Sequence, residues 1–146
     1  LRFEAITTVY LQAVPGAGGR TLPLPMLALR SSPQAPAQFV FDRGVLGGPS
    51  GLLAFVASAS QGEREHITQQ ILAQARTQLG LVQAQPVQTV VEKRATFACT
   101  PGLQRPAAQI APGLWACGDY VQGPYPATLE GAVRSGVAAA RGLAPV

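Results

Sequence analysis

Apolar and polar positions along the chain change period several times, and each change marks an element. Residues 3–14 (FEAITTVYLQAV) are rich in β-branched and aromatic types and stop at Pro15-Gly16, which predicts a long strand. Residues 16–20 read as a turn. Residues 22–29 (LPLPMLAL) alternate proline with apolar side chains, so this stretch is expected to be extended at a sheet edge or crossing. Residues 31–37, with Pro33 and Pro36, form a loop, and residues 38–42 (QFVFD) a short strand closed by Arg43-Gly44. After another loop over 44–51, residues 51–58 (GLLAFVAS) are a continuous apolar run with the length of a buried central strand.

The period then changes to that of a helix. Ser60 and Glu63 have the spacing of a capping box, and Glu65 adds a second acid to the first turn. Ile67, Ile71, Ala75 and Leu79 recur every four residues on one face, and Gly80 supplies the stop. Gln69, Gln70, Gln74 and Arg76 fall elsewhere, toward water, and His66 is read as an exposed flanking residue. Residues 87–98 predict another strand, with Lys93-Arg94 as a solvated charge pair, and residues 101–112 a loop. Residues 114–117 (LWAC) predict a short buried strand ending at Gly118-Asp119. A final helix is expected from Pro126 to Arg141, stopping at Gly142. Strands, helix, strands and helix in that order imply an α+β fold: a mixed, mainly antiparallel sheet with two main helices.

Composition narrows the function classes. The 146 residues are 47% apolar, enough for one domain with a real core, and only 12% charged, which excludes disorder driven by charge. The net charge of +4 invites a nucleic-acid partner, but the eleven basic residues are scattered from Arg2 to Arg141 and interleave with no aromatic cluster. No nucleic-acid partner is therefore expected. No apolar stretch approaches the ~20 residues of a membrane span, and Leu-Arg-Phe-Glu-Ala at the start is not a signal peptide. Cys99 and Cys117 lie 18 apart with no CxxC pattern, and His66 is remote from both. Two free thiols in a reducing, cytoplasmic setting and no metal site are expected. The one methionine is Met26, so the chain reads as an internal or C-terminal piece of a longer protein.

The last third carries the chemical signal. A short strand runs into Gly118-Asp119, a loop follows, and a helix opens with Pro126-Ala127-Thr128-Leu129. Ala127, Gly131, Ser135 and Ala139 lie four apart on one ridge, with Ala132, Gly136 and Ala140 on the next. Two glycines inside a helix cost about 1 kcal/mol each relative to alanine. Such a helix implies very close approach of something, either a flat ligand or another backbone in a ligand-free helix–sheet packing. The helix start offers unpaired amides to carbonyl or phosphate oxygens. Asp119, at a strand end, is placed to accept hydrogen bonds from sugar hydroxyls. Glu130 and Arg134 are spaced as an ordinary surface pair.

Gly118-Asp119 followed by PATLEGAVRSG resembles the C-terminal flavin-contact motif of FAD-dependent amine oxidases and phytoene-desaturase-like enzymes. Residues 92–101 (EKRATFACTP), AITTVYL and FVFDRG are similar to the squalene-associated branch, the hydroxysqualene dehydroxylases of hopanoid synthesis. The resemblance covers nearly the whole chain, most specifically Glu92–Pro101 and Gly118–Gly136. It implies FAD as cofactor, with Gly118 and Asp119 at the ribityl or pyrophosphate portion. It implies backbone amides of Ala127, Thr128 and Leu129 near the flavin pyrimidine edge, and Gly131 letting the helix approach the ring. Residues 1–112 would belong to the substrate-binding domain, with an apolar cavity for an isoprenoid. Residues 113–146 would be the C-terminal segment of the FAD-binding domain. The parent enzyme would be cytoplasmic, with room for peripheral membrane contact.

One departure bears on activity. Such enzymes hold the ADP half of FAD with an N-terminal G-x-G-x-x-G unit. Gly16-Ala17-Gly18-Gly19 leads into Leu22-Pro23-Leu24-Pro25, and Gly47-Gly48 runs into Pro49, so both read as ordinary turns. The chain then reads as a fragment of a two-domain flavoenzyme. The alternatives are a non-catalytic module that binds an apolar ligand or a partner, able to form a homodimer over exposed apolar surface, and a fragment of a carotenoid desaturase or amine oxidase. An amine oxidase would cage its amine with aromatics, and the nine here are spread through the chain. Arg94 and Tyr120 are the polar residues to test; no acid or base stands out.

Overall fold

A computed structural model describes residues 1–143. The fold is α+β, with a mainly antiparallel five-stranded sheet, a two-stranded ribbon and two α-helices. The chain divides into two compact units, residues 4–95 and residues 1–3 together with 96–143.

In the first unit, strands β1 (Phe3–Gln12), β2 (Met26–Ala28), β3 (Phe39–Asp42), β4 (Leu52–Ser58) and β5 (Gln85–Phe97) form a sheet in the order β2-β3-β4-β1-β5. The proline-rich stretch supplies the edge strand β2, where missing amide donors cost nothing, and the apolar run 52–58 lies at the centre. Pairing of Val9 with Phe55, and of Phe55 with Val40, fixes the register and puts Val9, Leu11, Val40, Leu53 and Phe55 on one face. Helix α1 (Arg64–Leu79) covers that face, adding Ile67, Ile71, Leu72 and Ala75 to a continuous core. Gly80, left-handed at φ 67°, ends the helix as expected.

The opposite face carries Thr8, Tyr10, Phe39, Phe41, Ala54 and Val56, and no helix of this unit packs on it. Asp42 lies at the rim of the core, fully buried. Its Oδ2 accepts the amides of Thr21 (2.9 Å) and Leu22 (3.2 Å), and its Oδ1 that of Val45 (3.3 Å). One carboxylate thereby ties two loops to the end of β3.

Two expectations for α1 are corrected. Ser60 does not cap the helix: Glu63 precedes its first turn without a side-chain cap bond. The Ser60 amide instead donates to the Ala5 carbonyl (3.1 Å), and its hydroxyl pairs with that of Thr7 (2.7 Å), so Ser60 still belongs to the β1/β4 ladder. Gln74 does not face water but is 2% exposed. Its amide group receives the Ala37 N–H (3.0 Å) and donates to the Ala37 carbonyl (2.9 Å), closing a buried backbone pair that no sheet partner satisfies.

In the second unit, strand β6 (Gln109–Ala111), inside the expected loop, and strand β7 (Leu114–Trp115), where a short strand was expected, form an antiparallel ribbon, and helix α2 spans Leu129–Leu143. The expected burial of residues 114–117 is corrected: Leu114 and Cys117 are exposed, because a two-stranded ribbon leaves one face open. Helix α2 starts three residues later than expected, since Tyr125 and Ala127 adopt left-handed φ values of 58° and 56°. It also continues through Gly142, where the Trp115 ring occupies the place of a side chain.

Candidate functional site

The site is built on the turn between β7 and α2. Thr128 stands just before the first helical residue. Its hydroxyl accepts the Gly131 amide (3.0 Å) and donates to the Tyr125 carbonyl (2.7 Å), so one side chain caps the helix and holds the preceding turn. That leaves the amides of Leu129 and Glu130, at the positive end of the helix dipole, without an acceptor among the described residues. The left-handed residues flanking Pro126 show that this turn is held against its local preference.

The small-residue ridge faces inward. A Cβ on Gly131 would meet the Tyr125 carbonyl oxygen at 2.2 Å, so only glycine allows the turn to lie against the helix. One turn further on, the Ser135 hydroxyl accepts the Gly118 amide (2.8 Å). Its single proton goes to the carbonyl of Ala132 (2.8 Å) or of Gly118 (3.0 Å). Away from that ridge, Leu129 is exposed and no atom lies near a Cβ on Gly136, while Val133 and Val137 are exposed at the edge of a cavity.

Between the turn and α2 lies a cavity of about 440 Å³, with Gly118, Asp119, Val121 and Gly123 on one side and Gly131 and Val137 on the other. Asp119 is half-buried, and among the described residues its carboxylate has no hydrogen-bond or ionic partner. Arg134 pairs with Glu130 (2.5 Å) as its spacing predicts, and its guanidinium also stands over the Tyr125 ring, 5.1 Å from the centroid. Outside the cavity, Arg105 donates to the carbonyls of Val121 (2.7 Å) and Gly123.

Of the residues singled out in the sequence, Gly118, Asp119 and Gly131 line the cavity together. Ala127 sits at the turn with its amide 3.4 Å from the Asp119 carbonyl; Thr128 caps the helix, and Leu129 is 88% exposed. Tyr120 is exposed beside Gly118, Arg94 lies on β5 in the other unit, and His66 is exposed on α1. Both cysteines are free and exposed. Sequence reasoning missed Arg105; an isolated arginine before a proline carries no periodicity and no motif. Among the described residues no group of three His, Cys, Asp or Glu could hold a metal, and no helix is long and apolar enough to cross a membrane.

The family described as flavin containing amine oxidoreductase matches residues 22–144, which include strands β2 to β5 and the residues that line the cavity. No curated protein is significantly similar to the chain.

Proposed function

Because the chain belongs to the flavin-containing amine oxidoreductase family, we propose that it supplies the flavin-contact segment and substrate-side sheet of an FAD-dependent oxidoreductase acting on a triterpene, in a hydroxysqualene-to-squalene type of reaction. The observation that carries this reading is the pairing of an unpartnered carboxylate in the cavity with free amides at the start of α2. The unpartnered Asp119 carboxylate accepts hydroxyl protons of the kind a ribityl chain offers. The free amides of Leu129 and Glu130 donate to carbonyl oxygens such as those of a flavin's pyrimidine edge. Val121 and Val137 give the cavity apolar walls for a flat ring. When bound, the flavin supplies the redox chemistry by exchanging a hydride with the substrate.

These residues fit the flavin end of the cofactor. The Gly16–Gly19 segment forms a single tight turn ahead of an extended stretch, which does not fit the ADP half. The dinucleotide-binding unit is accordingly assigned to polypeptide outside these 146 residues. The triterpene reading is supported by the sheet face away from α1. The paired positions there, from Ile6 to Gln12 on β1 and their neighbours on β3 and β4, include no charged side chain. Such a face suits an isoprenoid, and these positions offer no carboxylate to an ammonium group.

The test uses the full polypeptide carrying this chain, loaded with FAD and reduced without oxygen. A triterpene alcohol should take the hydride, lose its hydroxyl with a proton as water, and appear as hydrocarbon while oxidised-flavin absorbance returns. Absence of that change, with rapid reduction of the oxidised protein by a simple amine, would overturn the triterpene reading. A protein that retains no FAD after desalting would overturn the flavin reading.

A further inference from the structure

The cavity wall formed by residues 121–123 has few anchors of its own. Gly123 stands at φ 155°, a conformation that side-chain-bearing residues rarely adopt, Pro124 has no amide to donate, and the hydrogen bonds that hold this stretch come from residues 105 and 106. Arg105 Nη1 donates to the Val121 carbonyl at 2.7 Å, and Nη2 donates to the Gly123 carbonyl. The Gln122 amide donates to the Pro106 carbonyl at 2.8 Å. The Val121–Gln122 peptide is thus held at both ends, its oxygen by the guanidinium and its N–H by the next residue's carbonyl. A planar fork that reaches two carbonyls two residues apart fixes both peptide planes at once, which a point charge such as lysine does less well.

We infer that Arg105 is a positioning residue for the flavin site: lying outside the cavity, it sets the 121–123 wall against which the bound ring and ribityl chain are placed. The inference rests on the flavin reading given above. Arg105 touches the cavity only through that wall. Of the two carbonyls it binds, that of Gly123 belongs to an exposed residue where water can replace the guanidinium, while Val121 is 3% exposed, so its loss loosens the wall from the Gly123 end.

The test compares wild type, Arg105→Met and Arg105→Lys in the full polypeptide, stripped of flavin and titrated with FAD. Three quantities are read: the dissociation constant, the bound-flavin absorbance spectrum and the melting temperature of the flavin-free protein. R105M should bind FAD at least tenfold more weakly with an altered bound spectrum, while the flavin-free melting temperature stays within a few degrees of wild type. R105K should recover part of the affinity. Gly123→Ala disturbs the same wall without touching the arginine, and should weaken FAD in the same way. Wild-type affinity and spectrum in R105M or in folded G123A would overturn the inference. So would an R105M protein that no longer folds without flavin, since the arginine would then belong to the fold. A wild type that takes up no FAD overturns the flavin reading itself, and only that arm reports on it.

Discussion

Gly131 and Gly136 sit five residues apart in the same helix, and alanine at the two positions should have opposite effects. At Gly136 an added Cβ meets no atom within 4 Å. Replacing a helical glycine by alanine there should stabilise by about 0.5–1 kcal/mol, the ordinary propensity gain. At Gly131 the same methyl arrives 2.2 Å from the Tyr125 carbonyl oxygen, roughly 1 Å inside contact distance. That oxygen is backbone, held by the Thr128 hydroxyl at 2.7 Å, so it cannot swing away as a flexible side chain would. The overpacking cost of about 1–3 kcal/mol then exceeds the propensity gain, and G131A should be net destabilising. Urea unfolding reads both, as midpoints at unchanged slope. Stabilisation by alanine at both sites would refute the packing argument. A G136A that destabilises as much as G131A would mean that α2 at Gly136 is covered in the protein by something outside residues 1–143.

The remaining predictions concern the frame. Burial alone would raise the Asp42 carboxyl, but the amides of Thr21, Leu22, Val45 and Gly44 outweigh it and hold the group below its ordinary value. Its contribution to stability is therefore complete above the ordinary carboxylate range and disappears as pH falls through the lower folded value. Asp42→Asn, which turns an NH2 toward amide donors, should cost about 2–4 kcal/mol at neutral pH and flatten that acid limb; an unchanged limb in a pH series of urea melts would refute the assignment. Gln74→Ala leaves the buried amide and carbonyl of Ala37 without partners and should cost about 2–4 kcal/mol. A midpoint within error of wild type would show that water satisfies that pair.

Much of the frame was legible because period and composition act locally. The long strand at the start, the apolar central strand, the edge placement of the proline-rich stretch and the end of α1 at Gly80 all follow from residues within one element. What was not legible depends on distant partners. Gln74 looks like a surface residue until Ala37, 37 positions away, presents an unpaired peptide to it. Ser60 has the spacing of a cap, but the sheet claims its amide first. The start of α2 was misplaced because Tyr125 and Ala127 enter the left-handed region with no glycine to announce it. Pro126, a good first helical residue by composition, falls between them. At the site, the small-residue ridge was visible in the sequence as a sign of close approach. The glycine pattern says that something lies against the helix, but not that the first thing to do so is the chain's own turn.

That distinction decides what the residues in and around the cavity can do. Ser135, Thr128 and Arg105 each spend their hydrogen bonds on backbone atoms, and Arg134 is engaged by Glu130 and the Tyr125 ring. The polarity offered to a ligand is then mostly that of the backbone itself, amides at the start of α2, together with one free carboxylate at Asp119. Groups of this kind bind and orient, and an amide does not ionise near neutral pH to serve as acid or base. Catalytic advantage from such a site comes from holding a reactive group in one position relative to the substrate. Substitutions at Ser135, Thr128 or Asp119 should accordingly appear first as weaker or misaligned cofactor binding, whereas loss of a proton-transferring group would appear as a changed pH profile at full cofactor occupancy.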